Sequence, residues 1–159
     1  YYGPMYVRLG RSAAPTLFDE NYKFQIGKGS VLREGNDASI IACGIMVNEA
    51  ILASEMLKSE GINVRVINMS TIKPIDRELI IAASKETGAI VTAEEHNIIG
   101  GLGSAVAEVL CESAPCVMKR VGTKDVFGRS GTPAELFKEY GLTAEDIAKK
   151  AKQAIYEKN

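Results

Sequence analysis

The chain has no tryptophan and a single histidine, His96. That histidine stands in a bare Glu94-Glu95-His96 run, which has no metal-ligand spacing. The three cysteines, Cys43, Cys111 and Cys116, are an odd number without a Cys-x-x-Cys pair. They therefore make neither a disulfide framework nor a zinc site. Cys43 lies in an apolar run and reads as a buried small hydrophobe. Cys111 and Cys116 flank a helix-to-strand connection and could pair if exposed, but a reducing, cytoplasmic setting fits this usage better. Charge of one sign is lacking too. Nineteen Lys and Arg against twenty Asp and Glu give a net charge of -1, so neither nucleic acid nor an anionic membrane is expected as a partner. No apolar run approaches the ~20 residues needed to span a bilayer, and the opening Tyr1-Tyr2-Gly3-Pro4-Met5-Tyr6 lacks the pattern of a signal peptide. There is no Gly-x-x-x-x-Gly-Lys-[Ser/Thr] phosphate loop and no nucleophile elbow.

What is present is a regular alternation. At 159 residues the chain has material for one core. Residues 12–28 have no apolar period and read as a connector. Ser30 to Glu34 and Ser39 to Cys43 read as two short strands around the turn Gly35-Asn36-Asp37, and so short a turn predicts antiparallel pairing between them. Val47, Ala50, Ile51, Ser54 and Leu57 recur at helical spacing, and Gly61 ends that helix. Ile62 to Ile67 is a strand. After the break Lys73-Pro74-Ile75, Asp76 is placed to cap a helix whose buried face is Leu79, Ile80 and Ala83. Gly88 to Ala93 is a third main strand, Ser104 to Glu112 a helix and Val117 to Val121 the last strand.

Two capped helices close the chain. One starts at Thr132-Pro133-Ala134-Glu135, a capping box with proline at the first helical position. The other starts at Thr143-Ala144-Glu145-Asp146 and carries Ile147, Ala151 and Ile155 on one face. Strands alternating with helices predict a three-layer α/β/α fold. Its five-stranded mixed sheet is expected to be mostly parallel, with 30–34 as an antiparallel edge. Tyr6-Val7-Arg8-Leu9 also reads as a strand, without a partner nearby. The chain does not begin with Met, so this stretch is expected to be left over from a larger protein.

The chemical candidates concentrate between Gly88 and Val106. Gly101-x-Gly103-x-x-Val106 resembles a dinucleotide fingerprint but lacks the third glycine and follows the third strand rather than the first. The plainer alternative is a tight turn that lets the following helix pack close to the sheet. Glu94, Glu95 and His96 could serve acid–base chemistry, but consecutive strand residues cannot converge on one point. Glu95, His96, Gly101 and Gly103 are expected to form a structural or interface loop rather than a catalytic centre. Arg8 and Arg11 are either surface charge or an anion site, since guanidinium binds phosphate bidentately. Lys124 and Arg129, in the loop 123–131, read as solvated.

Several ordered blocks resemble one family. Arg8-Leu9-Gly10-Arg11-Ser12, the run from Asn63 to Asp76 with its Thr71-Ile72-Lys73-Pro74, Glu94-Glu95-His96 with Gly100 to Val106, and Gly128 to Leu136 together resemble the C-terminal region of transketolase. The likeness spans nearly the whole chain. Deoxyxylulose-phosphate synthase and the β subunits of 2-oxo-acid dehydrogenases share the glycine block but fit the Thr-Ile-Lys-Pro block less well.

The resemblance implies a transketolase C-terminal-domain-like fold over 29–159, preceded at 1–28 by the end of a pyrimidine-binding domain and a linker. It implies two-carbon ketol transfer between sugar phosphates, in the pentose phosphate pathway, with thiamine diphosphate and Mg2+. Those cofactors would be bound by upstream domains or by an N-terminal subunit, within a homodimeric complete enzyme. The family's Gly-Asp-Gly metal-diphosphate motif and its activating glutamate are absent here. The chain alone is therefore expected to be inactive, to hold no cofactor or metal, and to act in domain packing and dimer assembly. One contact carries over: Arg11 matches a substrate-phosphate arginine. A stand-alone nucleotide-binding module remains the alternative from a different class.

Overall fold

The computed structural model describes residues 2–10 and 13–159. Ten elements follow one another: β1 (Ser30–Arg33), β2 (Ala38–Ala42), α1 (Met46–Ser59), β3 (Val64–Asn68), α2 (Arg77–Thr87), β4 (Ala89–Asn97), α3 (Leu102–Ser113), β5 (Val117–Thr123), α4 (Pro133–Tyr140) and α5 (Ala144–Lys158). The sheet order is β1-β3-β2-β4-β5. The β3–β2–β4–β5 pairs are parallel and β1 alone is antiparallel. This is the expected mixed sheet with one antiparallel edge.

Strand alternation sends successive residues to opposite faces, and each face has its own core. Ile40, Val66 and Val91 point to one side, where α1 and α5 cover them with Leu57, Ala50, Ile147 and Ala151. Their neighbours Ile41, Ile67 and Ile90 point to the other side and meet α2 and α3 through Ile80, Leu102 and Val106. The central β2 is buried along its whole length, as a parallel strand covered on both faces must be. Full burial of each of these large side chains contributes roughly 1.5–3 kcal/mol.

The expected pairing of 30–34 with 39–43 does not occur. β1 pairs with β3, with Ser30 opposite Asn68, and β3 lies between β1 and β2. The turn explains why. Asn36 and Asp37 donate their N–H groups to the Asn63 carbonyl at 3.1 and 2.9 Å, and Asp37 Oδ2 accepts the Asn63 N–H at 2.6 Å. Gly35 lies so close to this backbone that a Cβ would sit 2.6 Å from Asn63 O and 2.7 Å from Arg65 N. The connection therefore passes across the start of β3 instead of folding back on β1.

Residues 6–9 also depart from expectation. They form no strand, and Tyr6, Val7 and Leu9 are exposed. A strand needs a ladder partner to satisfy its backbone, and no described part of this chain supplies one here.

The helix signals hold. Asp76 caps α2 by accepting the Leu79 N–H, and it also accepts the Gly29 N–H at 3.0 Å. Both expected capping boxes form, Thr132 with Glu135 and Thr143 with Asp146. Lys158 fastens the last helix to the sheet: its Nζ donates to Asp37 O at 2.7 Å and Thr87 O at 2.8 Å. No helix among the described residues is long and apolar enough to cross a membrane.

Candidate functional site

In open parallel sheets ligands gather outside the carboxyl ends of the strands. At that edge here stand the turn 43–45 after β2, the turn 70–73 after β3 and the end of β4. A cavity of about 410 Å³ opens among Cys43, Ile45, Ile72, Glu95, His96 and Gly101.

β4 runs farther than its apolar run indicates. It continues through Glu94, Glu95, His96 and Asn97, so these residues belong to a strand and not to the expected loop. Alternation separates them. Ile90, Thr92 and Glu94 share the face that meets α3, and Glu94 is only 1% exposed. Glu95 and His96 are exposed, and His96 Nδ1 lies 3.1 Å from the Asn97 carbonyl. All three residues border the cavity, but the Glu94 carboxylate is taken up by α3 amides and His96 Nδ1 faces the Asn97 carbonyl.

Glu94 is held through both carboxylate oxygens. The Leu102 N–H donates to its Oε2 at 2.7 Å and the Gly103 N–H to its Oε1 at 2.8 Å. These are first-turn amides of α3, which otherwise lack partners. The N-cap residue is Gly101, which has no side chain to cap with. A strand carboxylate thus supplies the cap that the helix sequence lacks, at the end where the helix dipole favours an anion.

The glycines make room for it. A Cβ on Gly101 would collide with the Glu94 carboxylate, 2.8 Å from its Cδ. A Cβ on Gly103 would sit 2.7 Å from Arg120 Cδ and 2.9 Å from Thr92 Oγ1. Sequence reasoning expects a tight turn here but misses the carboxylate inside it. The available signal is strand parity: Glu94 is in phase with buried Ile90, and a glycine-capped helix begins eight residues later.

Cys43 borders the same cavity. Burial first, and the nearby Glu94 charge second, push its thiol up to about 11, so it is protonated and inert at neutral pH. Cys116 is also raised, mainly by burial. All three cysteines are free. Among the described residues no group of three or more His, Cys, Asp and Glu side chains is placed to hold a metal ion.

A residue missed entirely is Asn97. Its Oδ1 accepts the Ile99 N–H at 2.8 Å and its Nδ2 donates to Asp125 Oδ1 at 3.1 Å. It therefore ties the turn after β4 to the loop after β5. Beyond that loop, Lys124, Arg129 and Lys138 border a second, open cavity of about 630 Å³. Arg129 there pairs with Glu139 at 2.8 Å, and all three cations are exposed. Arg8 is likewise exposed. Arg11 lies outside the described residues.

The relationships of the chain agree with this fold. Residues 27–147 match the family model described as transketolase, C-terminal domain. The chain is 47% identical over 157 residues to 6-deoxy-6-sulfo-D-fructose transketolase subunit SqwH of Clostridium sp. (strain MSTE9), covering 99% of this chain and 49% of that subunit. It is 42% identical over 156 residues to 1-deoxy-D-xylulose-5-phosphate synthase of Heliobacterium modesticaldum, covering 96% of this chain and 24% of that enzyme. A solved structure described as a split gene transketolase, inactive beta4 tetramer, superposes with a TM-score of 0.91 at 50% identity, covering 94% of this chain and 49% of that one. The chain spans about half the length of the transketolase subunit it matches. It belongs to the transketolase C-terminal domain family.

Proposed function

We propose that this chain is the C-terminal domain of a split transketolase-type enzyme that transfers a two-carbon ketol unit between sugar phosphates with thiamine diphosphate and Mg2+. The observation that carries this reading is the family match over 27–147, joined to 47% identity, across 99% of the chain, with a transketolase subunit of twice its length. In this reading residues 29–159 are the domain and 1–28 end the preceding one. The domain packs against the thiamine-binding domains or an N-terminal subunit and contributes to dimer assembly. It works in a reducing cytoplasm, in sugar-phosphate interconversion of the pentose phosphate type. Arg11 is the substrate-phosphate contact, and Glu95 and His96 face neighbouring domains.

The glycine turn of this chain does not fit the cofactor. A diphosphate wants free amides at a helix N-terminus. The glycine turn that resembles such a cradle has its Leu102 and Gly103 amides already bound to Glu94. The same geometry speaks against the nucleotide-binding module. This domain therefore contributes surface and positioning, and by itself is inactive.

The test is a ketol-transfer assay on the enzyme assembled from this chain and the missing domains. Activity is expected only when both are present. Arg11→Gln is expected to raise KM for the sugar phosphates more than it lowers kcat. Equal activity without this chain would refute the reading. The 42% identity to a 1-deoxy-D-xylulose-5-phosphate synthase favours one alternative, an equivalent domain of such a synthase. Formation of 1-deoxy-D-xylulose 5-phosphate in place of ketol transfer would select it.

A further inference from the structure

Of the eight large exposed hydrophobics beyond residue 28, four, Ile72, Ile99, Val126 and Phe127, lie in turns and loops at the carboxyl edge of the sheet. Ile99 is 65% exposed and Phe127 is 99% exposed, with Val126 and Ile72 beside them in the exposed set. Single exposed apolar residues are ordinary, but a set rimmed by polar groups marks an interaction surface.

These tips are held rigidly. Ile99 is fixed by its N–H to Asn97 Oδ1 at 2.8 Å, while Ile98 donates its N–H to Thr123 O at 3.0 Å and accepts from Arg120 at 2.9 Å. The loop carrying Phe127 is pinned through Asn97 to Asp125, through Tyr140, which donates its hydroxyl to Phe127 O at 3.3 Å, and through the Arg129–Glu139 pair. Asp125 has a positive φ of 42°, a conformation that non-glycine residues adopt rarely and usually at specified turns. A fully exposed phenyl ring on so constrained a loop loses little conformational entropy on association. Aromatic anchors of this kind dominate interface energetics.

The route of the chain brings the preceding residues to this end of the sheet. Because β1 is antiparallel, its first residue lies at the carboxyl end of β3. The connector therefore enters the domain at the carboxyl edge too, on its β1–β3 side, with the crest on the β4–β5 side, and is held by Gly27 N–H to Thr71 Oγ1 at 2.9 Å and Gly29 N–H to Asp76 Oδ2 at 3.0 Å. The transketolase subunit relative carries about as many further residues as this chain contains.

We propose that the crest formed by Ile99, Val126 and Phe127, clasped by Asn97, is the surface on which the preceding half of the same polypeptide docks. This rests on the reading of the chain as one domain of a longer subunit.

Hydrogen exchange tests it on two polypeptides, this 159-residue chain and the same chain extended through its preceding half. Amides of 98–101 and 124–128 are expected to exchange at least about tenfold more slowly in the longer one. The double substitution Ile99→Ser with Phe127→Ser is expected to restore fast exchange there and leave the melting of 29–159 unchanged. Asn97→Ala is expected to act in the same direction, less strongly. The proposal is overturned if the crest exchanges equally fast in both polypeptides. Protection of the Leu52 and Met56 face of α1 instead also overturns it, as does crest protection in the shorter chain that grows with concentration, which would mean a second copy. Ketol transfer by the longer polypeptide with its missing subunits is scored separately. Its absence would refute the enzymatic reading while leaving the exchange result to decide docking.

Discussion

Two regions of the carboxyl edge end in opposite ways. At the β4–α3 junction Glu94 is 1% exposed and both its oxygens are filled by helix amides. At the crest, Ile99 and Phe127 stand in solvent on loops fixed by Asn97. The junction resembles a ligand-binding turn only in part and is chemically closed. The crest has no recognisable motif and is physically open. The edge that serves chemistry in many α/β proteins here exposes apolar side chains, and a carboxylate of the chain itself occupies the amides of its glycine turn.

The largest expected effect breaks the closed side. Glu94→Ala removes two charge-assisted hydrogen bonds and the anion at a helix N-terminus, and is expected to cost about 3 kcal/mol in urea unfolding. A loss below about 1 kcal/mol would mean that the two amides are satisfied elsewhere, and a ligand site would again be plausible. Next comes Gly103→Ala. Its methyl would press on Arg120 Cδ and Thr92 Oγ1 from 2.7 and 2.9 Å, for an expected loss of about 2 kcal/mol by the same measurement.

Cys43 gives a pH-dependent probe of the junction. Its folded-state pKa of about 11 lies above the ordinary 9.0, so the folded state holds the thiol proton longer than the unfolded chain. Stability from this group is complete below pH 9 and declines as pH rises toward 11, a slope that Cys43→Ala should lack. Alkylation should modify exposed Cys111 first. Glu94→Gln should bring the Cys43 thiol down only in part, because burial is the larger cause. A complete return to the ordinary value would contradict that ranking. The smallest effect belongs to the open side: Phe127→Ser is expected to change the unfolding free energy by less than about 0.5 kcal/mol. A large loss would make the ring part of the core and remove it as a docking anchor.

Much of this was legible in the residues because local physics sets it. Asp76, Thr132 and Thr143 sit one residue before their helices, and capping is a short-range interaction. The two-faced core follows from alternation in Ile40-Ile41 and Ile90-Val91. The partner of β1 was not legible. Turn length suggested a hairpin, whereas contacts of Gly35 and Asp37 with Asn63, distant in sequence, insert β3 between the two strands. The end of β4 is not legible because Glu94 to Asn97 is polar, and polarity reads as loop unless a tertiary partner satisfies it. Glu94 finds that partner in α3. Asn97 was invisible for a similar reason, since its two bonds join loops 28 residues apart.

The glycine turn of this chain is closed to phosphate because Glu94 holds its Leu102 and Gly103 amides. The deciding measurement is a calorimetric titration of the chain with thiamine diphosphate and Mg2+. Heats of dilution alone are expected, up to millimolar ligand. Saturable binding of one molecule per chain with micromolar affinity would contradict it.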